Sequence, residues 1–367
     1  MPRFTMTTTK SESTGSVLRV ERPEASTAGR SHGRPGPAAR LLPRAATLLL
    51  GAVLWTEQAA AQGKLSPRRL AIYYGIPSLV NGAQGDTGRA AAVFGEYDLV
   101  VFGDGLEFPD VVPGRRPAGA GPLEHGRTAA IIRLLAATAR KPIVYGYVDL
   151  GNSQNLALPE IERRIALWRG MGARGIFFDE AGYDFGVTRA RQNAAVEAVH
   201  AAGLRVFMNA FNPDDVFLPS NGVAHRLQAG DAFLLESFVI RNGQQDMDSG
   251  WSSRAGRASE YARRGGVAVH AVTTTQAGST PPSGSLAYAW WLALACGLDG
   301  FGWGEPVFSG PDSVLPWRTR PEQAAMEVGG KFVGPLTLDG GVYSRATDRG
   351  RIEVDSRTRA ARFVPAR

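Results

Sequence analysis

Cysteine is nearly absent from this sequence: among 367 residues there is a single one, Cys296. A lone thiol cannot close an intramolecular disulfide, and it cannot by itself hold an iron–sulfur cluster. Cys296 lies in the apolar stretch YAWWLALACGLDG, with no base or cation close in the sequence to activate it. We therefore expect a small buried side chain rather than a nucleophile.

Lysine is scarce as well, and the histidines are few and scattered. The lysines are Lys10, Lys64, Lys141 and Lys331, and the five histidines show no paired spacing. An aldolase that forms a Schiff base needs a lysine at the end of a barrel strand, whereas Lys141 stands at the start of one. Metal-dependent hydrolases need clustered histidines. We expect neither a metal site nor a cofactor.

Long apolar runs are also missing, since none reaches the roughly 18 residues that a transmembrane helix needs. Residues 1–36 are rich in Ser, Thr, Pro, Arg and Gly, and we predict that they are disordered or an over-long start. Residues 37–61 have the pattern of a signal peptide, with a basic flank, an apolar run and small residues before a cleavage site near Ala61. We expect a secreted or periplasmic protein without stable membrane insertion after cleavage; an uncleaved N-terminal membrane anchor is the alternative.

Positive charge is in slight excess but is not concentrated. The formal charge is +7, and removing residues 1–61 leaves 33 Lys and Arg against 30 Asp and Glu. The remaining cations are spread along the chain without the basic stripe and interleaved aromatics of nucleic-acid-binding proteins. We therefore predict that nucleic acid is not a partner.

After the leader, short β-rich runs alternate with helical segments. Eight runs can be counted, and they begin at Leu70, Tyr97, Lys141, Arg174, Leu204, Asp231, Val267 and Gly300. This alternation predicts parallel strands joined by helices, and eight units fit an α/β (β/α)8 TIM barrel better than an open doubly wound sheet. We assign residues 67–334 to the barrel. Residues 335–367 contain strand-like segments separated by turn-rich TDRG and SRTR, and they are predicted to form a small C-terminal β-hairpin packed on it.

Acidic and aromatic residues end most of these runs, at the edge of the barrel where TIM-barrel active sites lie. GIFFDEAGYDFG ends an apolar run in the adjacent carboxylates Asp179 and Glu180. FLLESFV places Glu236 within an apolar run, where an unpaired charge is costly. Adjacent strand residues face opposite sides, so one acid of the pair can point away from the substrate. The other strand-end residues predicted to bind substrate are Tyr73, Asp104, Tyr147, Asp149, Asn209 and Trp303.

A ring of acids and aromatics is typical of glycoside hydrolysis, in which one carboxylic acid protonates the leaving oxygen and a second carboxylate acts as nucleophile or base. We predict a secreted glycoside hydrolase acting on a polysaccharide, with Glu180 as the general acid and Glu236 or Asp179 as its partner. We expect a monomer, and the polysaccharide substrate is its predicted partner.

Two alternatives stay open at this point. The first is a non-catalytic carbohydrate-binding TIM barrel, in which Asp179, Glu180 and Glu236 point apart. The second is a phosphate-binding isomerase or lyase barrel, which requires a basic anion site near Gly302 and Gly304.

At these residues the sequence resembles the spherulin-4-like proteins and the endo-α-1,4-polygalactosaminidases of glycoside hydrolase family 114, from about Leu70 to Gly304. The resemblance rests on VYGYVDLG, ARGIFFDEAG, MNAFNP and LLES, of which the second is the most specific. It implies a TIM-barrel hydrolase, catalytic roles for Asp179, Glu180 and Glu236, and a galactosamine-containing polysaccharide as substrate. YYGIPSL and FGDGLEF depart from the family's pattern, so they transfer no substrate specificity.

Overall fold

The computed structural model describes residues 65–109, 122–245, 250–274, 284–303 and 327–366. The predicted signal peptide and Gly304 lie outside the described residues.

Eight parallel strands close into a barrel, in the circular order β1, β2, β3, β4, β5, β6, β9 and β10. Their bounds are Arg68–Tyr73 for β1, Leu99–Phe102 for β2, Ile143–Asp149 for β3, Gly175–Asp179 for β4, Arg205–Asn209 for β5, Ala232–Leu235 for β6, Ala268–Thr273 for β9 and Gly300–Trp303 for β10. Each of the eight β-rich runs overlaps one of these strands, although β1 begins two residues before its run. The predicted TIM barrel is therefore confirmed.

Helices connect the strands and surround the barrel. They are α1 (Thr87–Phe94), α2 (Pro122–Ala137), α3 (Leu158–Met171), α4 (Arg189–Ala201), the single turn α5 (Asp214–Phe217), α6 (Gly250–Gly265) and α7 (Ser285–Cys296). The hydroxyl of Thr188 accepts the backbone N–H of Arg191 and begins α4, while Gly172, with φ of 100°, ends α3. None of the helices in the described ranges has the length and the apolar composition that a membrane-spanning segment requires.

Side chains of the strands divide between two cores because successive residues of a strand point to opposite faces. The inner core fills the barrel and consists of Leu70, Leu99, Val101, Tyr145, Phe177, Phe207, Ala232, Leu234 and Val272. The outer core lies between the strands and the helices, and it includes Ile176 and Phe178, the neighbours of Phe177. Aromatic rings occupy much of the interior: Phe207 makes edge-on contacts with both Tyr145 and Phe177. The barrel is thus packed below its active-site end.

A four-stranded antiparallel sheet follows the barrel, where the sequence predicts a hairpin. Its strands are β11 (Thr337–Asp339), β12 (Val342–Thr347), β13 (Gly350–Asp355) and β14 (Ala361–Pro365), in that order. Strands β12–β14 contact α7, and the guanidinium of Arg345 donates to the carbonyl oxygen of Ala295 at 2.8 Å. Between β6 and α6, the short strands β7 (Ile240–Arg241) and β8 (Gln244–Gln245) form a separate hairpin.

The contact between β3 and α3 gives a test of the packing. A Cβ atom added at Gly146 would overlap the indole ring of Trp168, which is completely buried. We expect Gly146→Ala to lower the free energy of unfolding by about 2–3 kcal/mol, because neither the strand nor the indole can move away without disturbing the core. Urea denaturation of the purified variant measures this.

The matched control is Gly170→Ala in α3, where an added Cβ meets no atom within 4 Å. It should raise stability by roughly 0.5–1 kcal/mol, because alanine favours the helix and restricts the unfolded chain. Equal effects of the two substitutions would contradict the close approach of β3 to α3.

Candidate active site

Strands β3 to β6 bring one polar side chain each to the open end of the barrel, which we call the mouth. In β4 the inner residue Phe177 is followed by the outer residue Phe178, so Asp179 returns to the inside. The same alternation directs Asn209 inward two residues after Phe207, and Glu236 two residues after Leu234. Asp149 is paired in register with Asp179 across β3 and β4. The strands therefore place these groups at similar depth.

One amide nitrogen joins the two carboxylates at the centre of the mouth. Nδ2 of Asn209 donates to Oδ1 of Asp179 at 2.7 Å and to Oε2 of Glu236 at 3.1 Å. Asn209 is buried, and its Oδ1 has no hydrogen-bond partner among the described residues. These two hydrogen bonds orient both carboxylates toward the centre of the mouth.

Asp179 is held by donors on several sides. Besides Asn209, the backbone N–H of Glu180 donates to its Oδ1 at 3.0 Å, and the hydroxyl of Tyr147 donates to its carboxylate. Burial and, to a smaller extent, the negative charge of Glu236 raise the pKa of Asp179, and the three donors limit the rise, so that the pKa is about 6. The carboxylate is thus fixed in orientation and titrates close to neutral pH.

Asp149 is the most deeply buried acid of the group, with 1% of its surface exposed. Its Oδ1 has no hydrogen-bond partner among the described residues. Burial and, to a smaller extent, the nearby negative charges of Glu180 and Asp179 together raise its pKa to about 7. Asp149 therefore carries its proton over part of the neutral range.

Glu180 turns away from the central pair. Its backbone has φ of 52°, in the left-handed region, and its carboxylate accepts the backbone N–H of Ser153 at 3.3 Å and the hydroxyl of the same residue. The side chain thus lies against the loop after β3, where Gly151 packs on it. The predicted pairing of Glu180 with Glu236 as general acid and partner is not supported by this position.

The rings of Tyr147 and Tyr74 face the mouth. Their rings meet edge to face with centroids 5.3 Å apart. Burial and the nearby carboxylates raise the pKa of both hydroxyls, so both stay protonated. The prediction that Tyr73 contacts the substrate is wrong. Its side chain points opposite to that of Tyr74, and its ring packs on Phe94 in the outer core.

The prediction that Trp303 contacts the substrate is wrong for the same reason. It packs against the outer core, on the face that carries Phe301 two residues earlier, so the strand alternation directs it away from the interior.

Asp104 lies at the rim of the mouth in an ion pair. Its carboxylate accepts hydrogen bonds from Nη1 of the buried Arg164 at 2.8 Å and from Nε2 of Gln154 at 3.0 Å. That carboxylate supports the loop after β3.

Two residues of the site are not among the substrate contacts predicted from the sequence. Tyr74 is the neighbour of the predicted Tyr73, and it faces inward because it lies an even number of residues after Leu70, which the structure places in the inner core. Arg254 of α6 could not be predicted, because it reaches the site only through the fold: its guanidinium donates to the carbonyl oxygen of Glu236 at 3.0 Å. It anchors the backbone that carries this acid.

Among the described residues, no three His, Cys, Asp or Glu side chains converge on a point that could hold a metal ion. The interactions of the site are instead hydrogen bonds from Asn209, Tyr147 and backbone N–H groups to carboxylates. Such a site can move protons and stabilise positive charge.

No protein-family model and no curated protein matches the chain. Among solved structures, it is similar to the glycoside hydrolase domain of PelA from Pseudomonas aeruginosa, with 15% identity, 68% of this chain and 100% of that chain covered, and a TM-score of 0.42. It is also similar to a chitinase from Chromobacterium violaceum (14% identity, 65% and 93% covered, TM-score 0.38). A deoxyribose phosphate aldolase from Aeropyrum pernix matches comparably (13% identity, 65% and 86% covered, TM-score 0.39). Hydrolases and an aldolase thus occur together at similar scores, and the choice of activity rests on the site itself.

The raised pKa of Asp149 gives a test by pH. Below about pH 4 this acid is protonated in folded and unfolded chains alike; between pH 4 and 7 only the folded chain keeps the proton, so its contribution to stability falls as pH rises. We expect Asp149→Asn to raise the free energy of unfolding by about 2–4 kcal/mol at pH 8 and by little at pH 4. Urea denaturation at the two pH values measures the difference.

The exposed Asp339 provides the control. Asp339→Asn removes the same charge from an exposed position, and we expect it to change the free energy of unfolding by less than about 0.5 kcal/mol at either pH. A variant Asp149→Asn that is less stable than the parent at pH 8 would show that the carboxylate stabilises the fold.

Proposed function

We propose that this protein is a secreted glycoside hydrolase that cleaves a polysaccharide with Asp179 and Glu236 as its catalytic pair. The observation that carries the proposal is the shared contact of both carboxylates with Nδ2 of Asn209. A non-catalytic carbohydrate-binding barrel has no need to hold two carboxylates so close together, where their charges repel each other.

Asp179 is suited to the role of nucleophile. Three donors hold its carboxylate in one orientation, which an attacking group needs, and they favour its charged form. With a pKa of about 6 it is mostly ionised at neutral pH.

Glu236 is suited to the role of general acid and base. It is half-buried, and Arg254 anchors its backbone. Its Oε2 accepts a hydrogen bond from Nδ2 of Asn209. A group that gives up a proton and later takes one from water needs such access to solvent.

The spacing of the two acids favours retention of anomeric configuration. Their oxygens both contact one nitrogen, so they lie less than about 6 Å apart, below the roughly 6.5 Å at which the inverting range begins. In the first step Asp179 attacks the anomeric carbon while Glu236 protonates the leaving oxygen. In the second step Glu236 takes a proton from water, which attacks the anomeric carbon and releases the carboxylate of Asp179.

The substrate we propose is a galactosamine-containing polysaccharide. Asp149, Asp179, Glu180 and Glu236 give the mouth an excess of acidic groups, and a sugar that carries an ammonium group would compensate it. The aromatic pair Tyr74 and Tyr147 offers apolar surface for the C–H face of a sugar ring. The leader pattern in residues 37–61 supports export to such a polymer.

Substitution of the two acids tests the chemistry. We expect Asp179→Asn and Glu236→Gln each to lower kcat on a galactosamine-rich polysaccharide by at least about 10²–10⁴-fold, because each removes a group that exchanges a proton or forms a bond in the reaction. Release of reducing ends measures kcat, and NMR of the first products should show retained anomeric configuration. Glu180→Gln should have a much smaller effect on kcat.

The control is Glu197→Gln, which removes an exposed acid that pairs with Arg226 outside the site. It should keep the activity of the parent protein. Absence of reducing-end release from every polysaccharide offered, with binding unchanged in the variants Asp179→Asn and Glu236→Gln, would refute the hydrolase and favour the carbohydrate-binding barrel.

The hydroxyl of Tyr147 gives a prediction for the pH profile. It lowers the pKa of Asp179 by donating to the carboxylate, so Tyr147→Phe should raise that pKa above its value of about 6. The nucleophile must be ionised, and we therefore expect the acidic limb of the kcat/KM profile to move to higher pH. Measurement of kcat/KM between pH 4 and 9 checks this. A shift of the alkaline limb instead would show that Asp179 must be protonated for the reaction, so that Asp179 would be the general acid and Glu236 the nucleophile.

A further inference from the structure

An exposed aromatic ring lies beside the catalytic pair and is not used in the chemistry above. Phe211 follows Asn209 by two residues at the end of β5, and 42% of its surface is exposed. One guanidinium nitrogen of Arg254 contacts both its carbonyl oxygen, at 3.5 Å, and that of Glu236, at 3.0 Å. Phe211 is therefore a close neighbour of the general acid.

Two guanidinium groups converge on this ring. The guanidinium carbon of Arg254 lies 4.1 Å from the ring centroid, and that of Arg241 lies 5.4 Å from it. Like charges brought to one ring repel each other, and an anion between or beside them relieves that repulsion.

Of the two, Arg241 is available to a ligand. It is exposed, and among the described residues no carboxylate forms an ion pair with it. Arg254, in contrast, is buried and donates to backbone carbonyl oxygens. Arg241 can thus meet an anion without breaking a bond that supports the fold.

The segment that carries Arg241 is held in an unfavourable conformation. Ser237 and Val239 have φ of 53° and 50°, in the left-handed region, which a β-branched side chain such as valine rarely adopts. The backbone N–H of Phe238 donates to the carbonyl oxygen of Val272, and that of Thr274 donates to the carbonyl oxygen of Ile240, so this segment is tied to β9 and its end. Such conformations persist where the surrounding contacts enforce them, and they cluster at ligand sites.

We propose that Phe211 and Arg241 form a subsite that binds a uronic acid unit of the polysaccharide, next to the bond that is cleaved. The proposal rests on the proposed function for its substrate class. The planar guanidinium of Arg241 pairs with the sugar carboxylate through two hydrogen bonds, and the exposed part of the Phe211 ring packs against the C–H face of the same sugar. A neutral sugar would use the ring but leave the cation unpaired.

Binding to an inactive protein tests this subsite separately from hydrolysis. In the full chain with Glu236→Gln, we would measure Kd for chondroitin, in which galactosamine units alternate with uronic acid, for polygalacturonate and for hyaluronan, and for the carboxyl-reduced form of each. We expect at least one uronate polymer to bind about tenfold more tightly than its reduced form, as a charge-assisted pair provides. Adding Arg241→Gln should remove that difference, and adding Phe211→Ala should weaken both forms alike.

Arg226→Gln is the matched control, because it removes the charge of an exposed arginine that pairs with Glu197 away from this ring. It should leave the preference for the uronate polymer unchanged. The proposal is overturned by equal binding of uronate and reduced forms in all three pairs, or by a preference that survives Arg241→Gln. Hydrolysis by the Glu236→Gln protein would instead refute the catalytic pair and leave the binding result to stand.

Discussion

The strict alternation of side chains along the parallel strands is the constraint on which this structure depends. In a closed barrel every second residue faces the interior, and here the interior is filled with aromatic rings up to the level of Phe177 and Phe207. The next inward positions, Asp179 and Asn209, lie on top of this packed layer. Asp179 and Asn209 are thus carried by strands, and Glu236 directly follows β6, so the rigid barrel keeps their distances fixed.

The same arrangement has an electrostatic cost. Neighbouring strands in register bring Asp149 next to Asp179, and both are removed from water, so both pKa values rise. A fold selected for stability alone would avoid such a pair of acids. Donors from Asn209 and Tyr147 offset part of the cost at Asp179, and they also give that carboxylate a fixed direction. Stability and the proposed reactivity are therefore opposed at these residues.

Charge is divided across the mouth. Acids predominate on the β3 and β4 side, around Asp149 and Glu180, while the guanidinium groups of Arg241 and Arg254 flank Phe211 beyond β5 and β6. The two proposals together describe a polymer with a cationic sugar in the catalytic centre and an acidic sugar beside it. A gradient of this kind would also fix the direction in which a chain lies across the barrel.

The sequence by itself determined the barrel, its eight strands and the carboxylates at their ends, because apolar runs, turn residues and strand-end acids are local patterns. It also placed Asp179, Asn209 and Glu236 correctly as strand-end residues. Only the tertiary structure decided that Glu180, Tyr73 and Trp303 turn away from the interior, since a shift of one residue reverses the face of a side chain. The contacts of Arg254 likewise depend on how α6 packs against the ends of β5 and β6, which no local pattern contains.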